Sequence, residues 1–253
     1  MNPFNEATPR FGVPANVQWS RAFTLVESFL IIIIICLLGS VQFAAMTKAK
    51  HHTTVAACAA NLRQGTMAFH IYGTENNDKL PAAAGYWAWD MPLDLGVTLG
   101  RYGAPKSAWY CPASPDNADR LWNYVPNNYR VVRYALTLAG GPSLSSTNWN
   151  PTLTPQPISY GPIILPPPLA SRRVLVADAT LSQPGQDNEA DRASYNYLTV
   201  QGSYPGLRGT SHVDRSLPAG GNLGMMDGHV EWRTFQNMHV RTPPGSITPV
   251  FWW

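Results

Sequence analysis

Ser211-His212 and, after fourteen intervening residues, Asp227-Gly228-His229 place two imidazoles and a carboxylate in one short C-terminal stretch. Imidazole and carboxylate are competent metal ligands, so His212, Asp227 and His229 form one candidate centre. The competing reading is structural. Asp227-Gly228 lies between apolar residues and is followed by the alternation Val230, Trp232, Thr234, a strong hairpin-turn signal. The His-to-His spacing is irregular and no second acid stands at a characteristic offset, so the turn is favoured and neither a metal nor a cofactor is expected. Asp187, Glu189 and Asp191 alternate as in a calcium loop but lack the following glycine and the distal glutamate, which reads as a solvated loop. Cys58 and Cys111 either bridge or remain two buried thiols, and Cys36 sits in an apolar run. No G-x-S-x-G, H-E-x-x-H or glycine-rich phosphate loop occurs, so the chain is not expected to be an enzyme. The remaining ionisable residue of interest is Glu27, at the mouth of an apolar segment.

That segment, Phe23 to Met46, organises the chain. It is uncharged from Ser28 onward, holds five consecutive isoleucines (Ile31 to Ile35) and is about long enough to cross a bilayer as a helix. An acid at its edge calls for a partner, which marks Glu27 as a functional candidate, and Thr24 to Glu27 also reads as a capping box. After Met46 the pattern predicts that the helix runs on to Tyr72, with Cys58, Leu62, Phe69 and Tyr72 as its buried stripe and Gly73 as its C-cap. His51 and His52 follow Lys48 and Lys50 and are read as facing headgroups or solvent. The net charge is +3 with the basic residues scattered, which argues against a nucleic-acid partner.

Beyond Tyr86 short strands are expected at residues 86–91, 131–138, 173–177, 224–226 and 229–235. Residues 140–168 hold eight prolines and read as a surface excursion; Val250 to Trp253 either docks on the sheet or meets another subunit. The fold class is therefore α+β: a long N-terminal helix packed against a mainly antiparallel sheet with long proline-rich loops.

Ala22-Phe23-Thr24-Leu25-Val26-Glu27, followed by the apolar run, resembles the leader junction of type IV pilins and type II secretion pseudopilins. Within the helix, Cys58, Asn61-Leu62-Arg63-Gln64, and later Leu80-Pro81 and Cys111-Pro112, resemble the pilin-like proteins abundant in Planctomycetes and Verrucomicrobia. The C-terminal stretch resembles their processing-associated domain, named for a His, nine residues and Asp-Gly; here residues 213–218 read as an insertion between His212 and Asp227-Gly228.

The resemblance implies a pilin-like fold and cleavage by a prepilin peptidase between Ala22 and Phe23. It further implies N-methylation of Phe23 and assembly with other pilin or pseudopilin subunits guided by Glu27. The expected organisation is a leader over 1–22, a membrane and assembly helix over 23–46, its extramembrane continuation over 47–73 and an ectodomain over 74–253. The chain would cross the cytoplasmic membrane once, with its N-terminus cytoplasmic and its C-terminal domain periplasmic. The alternative is a membrane-anchored module whose ectodomain captures a glycan or a metal.

Overall fold

The computed structural model describes residues 24–114, 117–125, 128–201 and 209–253, with the side chains of 40–48 outside that description. The leader 1–22 and both residues of the cleavage junction, Ala22 and Phe23, lie outside the described residues. Helix α1 (Leu25–Glu75) opens the structure. The chain divides into two compact units, Met1–Lys48 and Ala49–Trp253.

In the first unit the start of α1 is a reciprocal capping box. The Glu27 amide donates to Thr24 Oγ1 (3.2 Å), and the Thr24 amide and hydroxyl donate to Glu27 Oε2 (2.9 and 2.7 Å). Two orphan amides at the helix start are thereby satisfied. The large apolar side chains from Leu25 to Leu38 are all exposed. Among the described residues no helix is long and apolar enough to cross a membrane. Of the run 23–46, the described side chains span 24–39.

In the second unit, α1 buries the expected stripe: Cys58, Leu62 and Phe69 are fully buried and Tyr72 packs at the edge of the core. The helix does not stop at Gly73. It runs on to Glu75, and a side chain at Gly73 would press on Leu153, 3.2 Å from the position of its Cβ, so the glycine serves close packing. Asn77 and Asp78, at φ 52° and 67°, make the left-handed turn that ends the helix, and the Asp78 amide caps Gly73 O at 2.7 Å.

The rest of the unit comprises β1 (Asp90–Pro92), α2 (Leu93–Arg101), α3 (Ala118–Trp122), β2 (Tyr129–Val131) and β3 (Ala135–Leu136). There follow β4 (Ile158–Tyr160), β5 (Ile163–Leu165), β6 (Val174–Ala177), β7 (Thr180–Ser182), β8 (Val213–Asp214) and β9 (Leu217–Pro218). The chain closes with β10 (Gly220–Met225), β11 (Val230–Thr234) and β12 (Val250–Trp252). The main sheet has the order β11-β10-β6-β3 and is antiparallel throughout; β1-β2, β7-β12, β4-β5 and β8-β9 form two-stranded antiparallel pairs. The fold is thus α+β with small antiparallel sheets.

Strand β10 carries the contact with α1, and its glycines explain how. A Cβ on Gly224 would lie 2.6 Å from Thr66 Oγ1, and one on Gly221 would lie 2.1 Å from the Asp178 carbonyl. The Asn222 side chain between them donates to the Val55 carbonyl of the helix at 2.9 Å. Glycine at 221 therefore lets β10 approach the Asp178 backbone, glycine at 224 makes room for the Thr66 side chain, and Asn222 fixes the register.

Several expected strands shift. Residues 86–89 turn before β1 begins at Asp90, and 131–138 splits into the ends of β2 and β3. Strands β6 and β11 fall where expected, while β10 begins four residues earlier than 224, because its glycines and buried Asn222 hide the usual β-rich composition. The proline-rich stretch is not all surface. Ser143, Leu144 and Asn150 are buried, with Asn150 Nδ2 donating to Thr137 Oγ1 and the Val174 carbonyl (2.6 and 2.8 Å), whereas β4 and β5 form an exposed hairpin. The C-terminus docks: β12 pairs with β7, and Val250, Phe251, Trp252 and Trp253 are all buried.

Candidate functional site

Four separate segments deliver Cys58, Cys111, Asp178 and His212 to one buried point. Cys58 comes from the buried stripe of α1. Cys111 follows a 3-10 turn over Lys106–Trp109, and the Asn61 side chain, one turn along α1 from Cys58, donates to the Ser107 and Tyr110 carbonyls (3.3 and 3.0 Å). The C-x-x-N spacing thus ties the Cys111 loop to the helix that carries Cys58. Asp178 stands just past β6, where its amide donates to the Asn222 carbonyl (2.9 Å). His212 immediately precedes β8, and the Ala219 amide donates to its carbonyl at 2.8 Å. The stretch 213–218, read as an insertion, is accordingly a small hairpin, β8-β9, that leaves and rejoins the chain beside His212.

The thiol of Cys58 donates to Asp178 Oδ2 (3.1 Å) and lies 3.4 Å from the Tyr134 hydroxyl. His212 Nε2 lies 3.2 Å from Cys111 Sγ and 3.1 Å from Asp178 Oδ2. One ligand atom from each of the four residues lies within 4.8 Å of every other, and all four residues are buried. Both cysteines are free thiols. Around this point, the Ser211 hydroxyl donates to Asp178 Oδ1 (3.0 Å) and accepts from Arg133 Nε (3.1 Å), while a terminal Arg133 nitrogen bonds the Gly209 carbonyl. Trp232 stands edge-on to the His212 ring at 5.2 Å, with His51 at 6.2 Å.

The electrostatics follow from burial set against charge. Burial pushes the Asp178 carboxyl up, but the His212 hydrogen bond and charge, the Arg133 guanidinium and Cys58 outweigh it and hold it below the usual carboxylate range. Burial pushes the Cys58 thiol well up. The Cys58 sulfur beside it, together with His212, outweighs burial and brings Cys111 down to about 7. For His212, burial favours the neutral ring, yet its bonds to Asp178 and Cys111 raise it to about 9.

The residues singled out in the sequence separate in space. His212 bonds Cys111 and Asp178, whereas Asp227 accepts from the amide of His229 (3.1 Å) and contacts its Nδ1 (2.5 Å) in the turn between β10 and β11. Asp227-Gly228 makes the hairpin expected of it, with Gly228 at φ 89°. His51 faces His212 and Trp232 and is partly buried, whereas His52 is exposed. The acids of 187–191 are spent on structure: Glu189 accepts from the Val240 amide and pairs with His239, and Asp191 accepts from Asn188. Asp178 and Tyr134 were not foreseen, because neither belongs to a spaced motif; a lone acid in the apolar Val174–Ala177 surroundings was the available signal.

Cys111, His212 and Asp178 do not form a nucleophile–base–acid relay. In such a relay the two imidazole nitrogens serve different partners; here both partners face Nε2, and Nδ1 has no hydrogen-bond partner. A cavity of about 380 Å³ lies elsewhere, beside Trp149 and Arg173. The arrangement is suited to holding a cation among converging donors. No known protein family, characterised protein or solved structure matches the chain.

Proposed function

We propose that this chain is a pilin-like or pseudopilin structural subunit, cut by a prepilin peptidase between Ala22 and Phe23 and assembled through α1 into a type II secretion pseudopilus or type IV pilus-like filament. The observation that carries the reading is the helix Leu25–Glu75. Its first part bears large apolar side chains from Leu25 to Leu38, all exposed, and its later part is built into an α+β unit through Cys58, Leu62 and Phe69. An apolar surface of that length on one helix calls for lipid or for like helices. In this reading the helix anchors the subunit in the cytoplasmic membrane, the N-terminus is cytoplasmic and residues 74–253 are periplasmic.

Glu27 then has two compatible roles. In the single chain its carboxylate caps the helix through Thr24. In a filament it would meet the α-amino group of a neighbouring subunit's Phe23, a pair that gains strength from an apolar setting and sets the stagger of packed helices. The activity is assembly and not catalysis.

The test is Glu27→Leu with recovery of sheared filaments or cross-linked pseudopilus. Loss of incorporation with unchanged membrane anchoring is expected; normal incorporation would remove the register role. Mass spectrometry of the mature protein is expected to find N-methylated Phe23 as the first residue, and an intact Met1 or another start would refute processing.

A further inference from the structure

We propose that Cys58, Cys111, Asp178 and His212 bind one zinc ion in a closed, tetrahedral structural site that pins α1 to the sheet and loops of the second unit. The donor set is the first reason. Two thiols, an imidazole and one carboxylate oxygen form a complete four-coordinate shell for zinc. Calcium and magnesium need several hard oxygen ligands, and this cluster offers one carboxylate.

Geometry is the second reason. Around a tetrahedral zinc, sulfur, nitrogen and oxygen ligands sit roughly 3.3–3.8 Å apart. Here Cys58 Sγ and Asp178 Oδ2 are 3.1 Å apart, Cys111 Sγ and His212 Nε2 3.2 Å, His212 Nε2 and Asp178 Oδ2 3.1 Å, and no pair among the four exceeds 4.8 Å. Shifts of a few tenths of an ångström bring the three short pairs to those separations.

Charge is the third reason. With both thiols ionised and the imidazole neutral, the four ligands carry three negative charges, two of which a zinc ion neutralises. The buried Arg133 guanidinium, reaching Asp178 through Ser211, supplies the remaining compensation. Ser211 fixes the second carboxylate oxygen and Tyr134 stands beside the Cys58 sulfur, so the ligands have an outer layer that orients them. Binding releases the thiol protons of Cys58 and Cys111 and the imidazolium proton of His212 to solvent.

The site is closed. All four positions are protein ligands and all are buried, which leaves no coordination place for a substrate and assigns the ion a structural role. The ligands come from α1, the loop after the 3-10 turn, the end of β6 and the residue before β8, so one ion would cross-link elements distant in the sequence.

The decisive experiment is cobalt(II) titration of the full chain in detergent after thiol reduction and chelator treatment. A thiolate-to-cobalt charge-transfer band with tetrahedral visible bands, saturating at about one equivalent and displaced by zinc, is expected. Cys58→Ser with Cys111→Ser should abolish the band, Asp178→Asn or His212→Ala should change the visible bands, and Cys36→Ser should leave both as in the parent. Should ligand variants not fold, the parent spectrum together with Cys36→Ser decides. Absence of the band in the reduced parent chain, or a band that depends on Cys36, would overturn the proposal; in the first case the two thiols are ordinary core residues.

Discussion

The contact between α1 and β10 makes a prediction that can be worked through in energies. At Gly224 an added Cβ would lie 2.6 Å from Thr66 Oγ1 and 3.4 Å from Thr66 Cγ2, with Thr66 Cβ at an ordinary 3.6 Å. The Thr66 hydroxyl bonds the Leu62 carbonyl within the helix and the residue is fully buried, so it has little room to turn. Gly224→Ala therefore overpacks the interface, at a cost of about 1–3 kcal/mol. Against this, alanine restricts the unfolded chain and returns about 0.4–1 kcal/mol. The net destabilisation expected is about 0–2.6 kcal/mol. Thr66→Ala removes both offending atoms and leaves Cβ, so in that background the same glycine change should be neutral or slightly stabilising. The assay is equilibrium denaturation of the full chain in detergent, followed by tryptophan fluorescence, for the parent, both single variants and the double variant. A favourable coupling energy of about 1 kcal/mol or more is expected. Additivity within about 0.5 kcal/mol would refute the packing of β10 on this turn of the helix.

Three further outcomes are expected. Asn61→Ala should remove the two side-chain bonds to the Ser107 and Tyr110 carbonyls and cost about 1–3 kcal/mol in the same denaturation assay, with proteolysis of the Cys111 loop as a local readout. Trp253→Ala should cost about 3–5 kcal/mol, since the ring is buried in the core; a loss below about 1 kcal/mol would show the C-terminus to be loosely held. Glu189 carries a pH dependence. Burial pushes its carboxyl up, but the Val240 amide, His239 and Arg192 prevail and hold it below its usual 4.5. A depressed folded value means that the unfolded chain takes up the proton first, so this stability is present above about 4.5 and is lost as pH falls through the folded value. The midpoint of Glu189→Gln, measured against the parent, should converge with it in that acid window.

Much of the local structure is legible in the residues. The buried stripe of α1 follows from helical spacing, the capping box from Thr24 and Glu27, and the β10-β11 turn from Asp227-Gly228, because each depends on neighbours within a few residues. The pattern places the end of α1 at Gly73, two residues early, because a glycine kept for contact with Leu153 looks the same in sequence as a glycine kept for a left-handed cap. The strand over Gly220–Met225 was shortened because Gly221, Asn222 and Gly224 are chosen for close approach to Asp178, Val55 and Thr66, not for β propensity.

For the candidate site, the residue types of Cys58, Cys111 and His212 were evident in the sequence, and their companionship was not. His212 reads most naturally with Asp227 and His229, since they share a short stretch, yet the hairpin turn carries Asp227 to His229 while β6 brings Asp178 to His212. The pairing of β12 with β7 and the burial of the terminal tryptophans likewise join residues about seventy apart. Spacing along the chain determines which residues share a helix face or a turn. Which acid meets which imidazole is decided by non-local strand order and by which buried charge finds compensation, and these exist once the chain has closed on itself.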